Sequence, residues 1–167
     1  MKKAKQLWDK IKPLILPYSI AIAIPLTVGI ASAALTKDSM KVYSTLNSPP
    51  LAPPSFLFPI VWTVLFVLMG ISSAMVYTKR DSNPDAAKKG LIYYALSLVA
   101  NFSWSIVFFN LQAAFFALLV LLVLLFLIVT TIIRYRKVCP VAAYLQIPYA
   151  VWVLFAGYLN AGIWLLN

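Results

Sequence analysis

The feature that most constrains this chain is a series of long stretches without a formal charge. Each is long enough to cross a bilayer as a helix, which takes roughly 20 residues. Backbone groups in lipid must find their hydrogen bonds internally, so such runs favour helices. The runs also lack the alternating polarity that is typical of membrane β-strands. The predicted spans are 14–36, 58–78, 90–110, 113–133 and 138–166.

The third and fourth spans belong to one uncharged run, residues 90–133. As a single helix this run would reach roughly 66 Å at 1.5 Å per residue, about twice the hydrocarbon thickness. The polar cluster nearest the middle of this run is the segment Asn110, Leu111 and Gln112. We therefore predict a tight hairpin there, and a single all-α transmembrane domain over residues 1–167 that forms a five-helix bundle.

The basic residues predict the orientation of this bundle, because loops rich in Lys and Arg stay in the cytoplasm. Five precede the first span, four lie between the second and third spans, and three lie between the fourth and fifth. The other side has only Lys37 and Lys41. We predict that the N-terminus is inside, that the C-terminus is outside, and that the protein is integral to a bacterial plasma membrane. A cleaved secretory signal ending near Ala33 is the alternative for the first span, but its apolar run exceeds the usual signal core of about 7–15 residues.

Composition excludes several classes of function. The net charge is +10, but the basic residues flank apolar runs, so a nucleic-acid partner is not predicted. The chain has no His and no Glu, and Cys139 is its only cysteine, which argues against a metal site and against ordinary acid–base catalysis. No ionisable Asp, Glu, Lys or Arg lies inside a span. This disfavours an ion-coupled transporter but leaves a passive route for an apolar solute open.

Three spans carry aromatic and amide side chains at helical spacing, so that each set shares one helix face. Plain helix packing is the alternative explanation of such a face. The sets reach from the outer half of the membrane to its midplane, on the same side as the loop 37–57, in which four prolines fall within Pro49–Pro54. An aromatic cavity under this loop would suit a large, flat, apolar ligand. The sets are Trp62, Phe66 and Gly70; Ser97, Asn101, Trp104 and Phe108; and Tyr149, Trp152, Ala156 and Asn160.

From about Tyr43 to Asn167 the chain resembles the TspO/MBR family, which includes the translocator proteins and tryptophan-rich sensory proteins. The resemblance implies a five-helix bundle, usually a homodimer, that binds porphyrins under its first loop, and in some bacterial members degrades them in light. The C-terminal stretch lacks the basic residue that animal members have after a Tyr, so cholesterol is not predicted as a ligand. Four segments in order carry the resemblance: Pro49–Pro54 followed by Val61–Phe66 and Gly70; Asn101–Trp104 with Phe108 and Phe109; Pro148–Trp152; and Phe155–Asn160.

The residue faces, the loop and the resemblance together predict the ligand site. The resemblance implies Tyr43, Trp62, Phe66, Asn101, Trp104, Trp152 and Ala156. The faces and the loop add Pro53, Pro54, Phe108, Tyr149 and Asn160.

Three functions follow as hypotheses. The first is a sensor, carrier or scavenger that binds a porphyrin or another flat apolar molecule, without an obligatory cofactor and with lipid and a second copy of the chain as partners. The second is light-dependent porphyrin degradation, in which Trp62 and Trp152 would be the catalytic residues. The third is passive transport of an apolar ligand, or a scaffold for interactions.

Overall fold

The computed structural model describes residues 2–39 and 45–167, with side chains from Lys12 onward in those ranges. Within them the fold is all-α, and five helices are long and apolar enough to cross a membrane, which confirms the predicted fold class. The inside–outside orientation stays a prediction. The helices are α1 (Lys2–Thr36), α2 (Leu57–Thr78), α3 (Pro84–Ser105), α4 (Ala114–Arg136) and α5 (Pro140–Leu166).

Three helices continue beyond the predicted spans into charged sequence. Helix α1 begins before residue 14, α3 begins before residue 90, and α4 ends after residue 133. The Asn83 side chain accepts a hydrogen bond from Ala86 N at 3.2 Å and caps α3, and Pro84 occupies the first turn, where no intrahelical N–H bond is lost. Absence of charge indicates only the part of a helix that lies in lipid, whereas the helix itself continues until a cap or a turn ends it.

The predicted hairpin between the third and fourth spans is confirmed. Helix α3 continues into one π-helical turn, Ile106–Asn110, and the Leu111 N–H donates to Ile106 O at 3.0 Å. Gln112 has a φ of 51° and Ala113 N donates to Val107 O at 3.1 Å, which closes the turn before α4 begins. Such π-helical turns are rare and occur often at functional sites, and this one contains Phe108 and Phe109.

The five helices form a closed ring. Helix α1 packs on α2, α2 on α5, α5 on α4 and α4 on α3, and α3 returns to α1. The backbones of α1 and α2 come unusually close at Gly70, where an added Cβ would lie 2.5 Å from Ile22 Cα. Large apolar side chains such as Phe126 and Leu165 remain 65% and 74% exposed. In a membrane, these side chains form the surface that contacts lipid.

The loop between α1 and α2 lies on α5, at the end of the bundle that also carries the α3–α4 hairpin. Asn47 N donates to Asn167 Oδ1 at 3.0 Å, and Asn167 Nδ2 donates to Asn47 O at 3.1 Å. The Tyr158 hydroxyl donates to Pro50 O at 2.7 Å. A Cβ on Gly162 would lie 2.5 Å from the Pro49 ring, so only glycine allows this approach. Residues 45–56, hereafter the α1–α2 loop, are thus fixed to the last three turns of α5.

Candidate functional site: an aromatic cavity beneath the loop

A cavity of about 680 Å³ lies inside the ring of helices, at the end that carries the α1–α2 loop. Its volume falls within the range of roughly 300–1,000 Å³ that is typical of small-molecule sites. Four helices and the loop contribute to it, and α4 does not. The lining residues are Leu26, Gly29, Ile30, Ser32, Ala33, Thr36, Lys37, Ser48, Ser55, Phe58, Pro59, Trp62, Thr63, Phe66, Asn101, Trp104, Ser105, Phe108, Phe109, Ala156, Leu159, Asn160 and Ile163.

Two aromatic stacks form the inner wall of the cavity. On α2, the rings of Trp62 and Phe66 stack with centroids 5.5 Å apart and planes 29° from parallel. On α3 and its π-helical turn, Trp104 and Phe108 stack at 5.5 Å and 21°. Trp62 and Trp104 are 6.3 Å apart with planes at 35°, so the two stacks form one roughly continuous surface. Such a surface favours stacking with a flat aromatic ligand.

Hydrogen bonds fix the orientation of this wall. The Trp104 indole N–H donates to Asn160 Oδ1 at 3.1 Å, and Asn160 Nδ2 donates to Ala114 O at 2.7 Å. Below them, Asn101 Nδ2 and the Tyr149 hydroxyl are 3.3 Å apart. Asn101 and Asn160 are 3% and 1% exposed. Buried polar groups usually have protein partners, and here Asn160 holds Trp104 in place while Asn101 contacts Tyr149.

Helix α1 forms another wall, and close packing at Gly29 makes room for the aromatic stack. A Cβ on Gly29 would collide with the Phe66 ring, including a contact of 2.8 Å with Phe66 Cδ2. The predicted site contained no residue of α1, so this wall was missed. Its residues Leu26, Gly29, Ile30, Ala33 and Thr36 nevertheless recur at the spacing of a single helix face.

Seven of the predicted ligand residues line the cavity together, and four described ones do not. Tyr149 and Trp152 lie behind Trp62, with ring centroids 6.1 Å and 6.5 Å from it in edge-to-face geometry. Pro53 and Pro54 belong to the loop but do not line the cavity, to which the loop contributes Ser48 and Ser55. Tyr43 lies outside the described residues. The seven are Trp62, Phe66, Asn101, Trp104, Phe108, Ala156 and Asn160.

Six further lining residues on α2, α5 and the π-helical turn were not predicted: Phe58, Pro59, Thr63, Phe109, Leu159 and Ile163. Phe108 and Phe109 are consecutive and lie in the π-helical turn, but consecutive lining residues such as Trp62 and Thr63 also occur in the regular helices. The cavity is wide enough to contact neighbouring positions of one helix, which a pattern of a single helix face leaves out.

A second, smaller cavity of about 370 Å³ adjoins the first. Phe108, Phe109 and Ile163 line both. The remaining wall of the smaller cavity comes from the α1–α2 connection, the hairpin, the start of α4 and the end of α5, including Leu46, Phe115, Phe116 and Trp164. The rings of Phe108 and Phe109 therefore separate two apolar spaces at the loop end of the bundle.

The described lining of the main cavity carries few charged or metal-binding groups. Lys37 is the only ionisable Asp, Glu, Lys or Arg among the described residues that line it. No group of His, Cys, Asp and Glu able to hold a metal ion occurs in the described part of the chain. Aromatic stacking and shape are the main interactions that this lining offers a ligand.

A comparison with known sequences identifies the family. A sequence profile described as TspO/MBR family matches residues 21–165. The chain belongs to the TspO/MBR family.

Relatives from two domains of life are similar over most of the chain. It is 37% identical to the "Tryptophan-rich protein TspO" of Chlorobaculum tepidum, over 92% of this chain and 97% of that protein. It is 34% identical to "Protein CrtK" of Rhodobacter capsulatus, over 75% and 78%. It is 31% identical to the "Translocator protein" of Bos taurus, over 84% of each. The protein is an integral membrane protein, because it belongs to this family and its described residues include five helices long and apolar enough to cross a membrane.

Proposed function

We propose that the cavity binds a porphyrin or another flat tetrapyrrole, and that the protein acts as a sensor, carrier or scavenger of that ligand. One observation carries the proposal: the continuous aromatic surface formed by Trp62, Phe66, Trp104 and Phe108 faces a cavity of about 680 Å³. A planar macrocycle offers the large π-face that such a surface favours. Two relatives have names that support this proposal: "Tryptophan-rich protein" agrees with an aromatic site, and "Translocator protein" agrees with a membrane carrier.

We propose that the protein is located in a bacterial plasma membrane and that it forms a homodimer. The apolar outer surface supports contact with lipid, and the bacterial relatives support the host membrane. The homodimer is an expectation from the family resemblance, to be measured by the mass of the detergent-solubilised protein. A monomeric mass at all concentrations would contradict it.

A fluorescence titration with protoporphyrin in detergent tests the site. Trp62, Trp104 and Trp152 lie in or directly behind the cavity wall, so a bound porphyrin should quench much of the tryptophan emission. Ala33→Phe places a large ring in the cavity from an exposed position on α1. We expect it to weaken binding about tenfold or more, which corresponds to about 1.4 kcal/mol or more.

Ala34→Phe is the matched control, because Ala34 is the next residue, is also exposed and does not line the cavity. It should bind protoporphyrin like the parent protein. Equal affinity of the parent and both variants would show that the ligand does not occupy this cavity.

Light-dependent degradation of the porphyrin is the second candidate function. It is favoured by the contacts of Trp62 with the oxidisable rings of Trp104, Tyr149 and Trp152, all within 6.5 Å between centroids. The same titration run in the dark and under light, in air, separates the two functions. Faster loss of porphyrin absorbance with the parent than with Trp152→Phe, at equal binding, would support degradation. Equal loss with no protein present would exclude it.

A further inference from the structure

Lys37 is the one cation among the described residues that line the main cavity, and nothing in the proposed function uses it. It directly follows α1 and is exposed. No carboxylate in the described part of the chain lies within ion-pair distance of its ammonium group, since the ion pair found there joins Lys89 and Asp85. A cation without an ion-pair partner among the described residues, beside an otherwise uncharged space, is available to an anionic ligand group.

The polar groups that line the cavity differ in charge. The walls on α2, α3 and α5 combine aromatic rings with neutral groups such as Thr63, Asn101 and Asn160, whereas Lys37 carries the only formal charge among the described lining residues. On α1, the Ser32 side chain is 8% exposed, and its Oγ has no hydrogen-bond partner among the described atoms. The cavity is therefore amphipathic, with an uncharged interior and a rim, formed where α1 ends and by the α1–α2 loop, that carries Lys37, Ser48 and Ser55.

The rim would be unfavourable for an anion without Lys37. Helix α1 ends at Thr36, and the carbonyl end of a helix carries a partial negative charge. The cation offsets this charge where a ligand would enter. A carboxylate cannot be carried into the apolar interior without a large desolvation cost, so an acidic ligand would keep its acid groups at the rim.

From these observations we propose that the ligand is an amphipathic acid: a flat apolar ring system whose carboxylate groups lie at the mouth of the cavity and pair with Lys37. Lys37 then determines the orientation of the ligand and discriminates acidic ligands from neutral ones of the same shape. This inference rests on the proposed function and specifies its ligand class.

The test compares two probes that share a ring system, protoporphyrin with its two carboxylates and the uncharged protoporphyrin dimethyl ester. Titrations use the full chain in a nonionic detergent. Lys37→Gln should weaken binding of the diacid about 2- to 5-fold, the range expected for an exposed ion pair, and should leave the diester unchanged. Lys37→Glu should weaken the diacid further, and higher salt should reduce the preference of the parent for the diacid.

Lys12→Gln is the matched control, because Lys12 is an exposed lysine in the N-terminal part of α1 and does not line the cavity. It should bind both probes like the parent. If Lys37→Gln changes both probes equally, or neither, the pairing with Lys37 is overturned while the cavity remains a porphyrin site. If neither probe binds the parent protein, the proposed function itself fails.

Discussion

Asn160 shows how one side chain can hold three helices together. It lies on α5, accepts the indole N–H of Trp104 on α3, and donates to the first carbonyl of α4 at Ala114. The residue is 1% exposed, so water does not replace a lost partner. The face that Asn160 shares with Ala156 was visible in the sequence, but its two partners lie 46 and 56 residues away.

We expect Asn160→Leu to destabilise the protein by about 1–3 kcal/mol, because the Trp104 N–H and the Ala114 carbonyl lose their shared partner inside the bundle. The measurement is the apparent Tm in detergent, which should fall. Thr130→Val is the control: its hydroxyl donates only to Phe126 O in its own helix, and its Tm should stay near that of the parent. An unchanged Tm for Asn160→Leu would contradict the bridging role.

At the scale of helices, packing between neighbouring helices decides which residues of a face line the cavity. Tyr149, Trp152, Ala156 and Asn160 share one face of α5, but they extend over roughly 16 Å of helix. Ala156 and Asn160 line the cavity, whereas the rings of Tyr149 and Trp152 pack on Trp62 of α2 and do not line it. Periodicity determines a face but not which of its residues a neighbouring helix covers.

The contact of α1 with α2 depends on Gly70. A Cβ there would lie 2.5 Å from Ile22 Cα and 2.8 Å from Ala21 O, both backbone atoms that cannot rotate away. We expect Gly70→Ala to push the helices apart and to destabilise the protein by about 1–3 kcal/mol, seen as a lower Tm.

Gly157→Ala provides the comparison within a helix of the same bundle, since a Cβ at Gly157 meets nothing within 4 Å. Alanine also has the higher helix propensity, so this variant should melt at or slightly above the parent. If both variants melt alike, the close approach at Gly70 does not limit stability.

At the scale of the whole molecule, the arrangement of charge predicts which end of the bundle faces the cytoplasm. Nearly all Lys and Arg residues lie at the end opposite the cavity, in the N-terminal part of α1 and in or beside the α2–α3 and α4–α5 connections. The cavity and the α1–α2 loop would then face outward. Such an orientation would let the site take up ligand from outside the cell.

Reporter fusions test this orientation. A reporter that is active only outside the cytoplasm should be active after Asn167 and inactive in the α2–α3 connection after Ser82. A reporter that is active only in the cytoplasm should give the opposite pattern and serves as the control for expression. The reversed pattern would place the cavity on the cytoplasmic side.

The sequence by itself determined the number of spans, the hairpin near Asn110 and most of the aromatic wall. Each of these features depends on residues close together in the chain. The spans follow from hydropathy over about 20 positions, and the aromatic wall follows from side chains spaced three or four residues apart on one helix face. The tertiary structure alone decided that α1 lines the same cavity as Trp62 and Trp104, and that Lys37 contributes to its lining. Those facts depend on which helices become neighbours in the ring, and helix neighbours are chosen by packing between distant segments, as at Gly29 and Phe66.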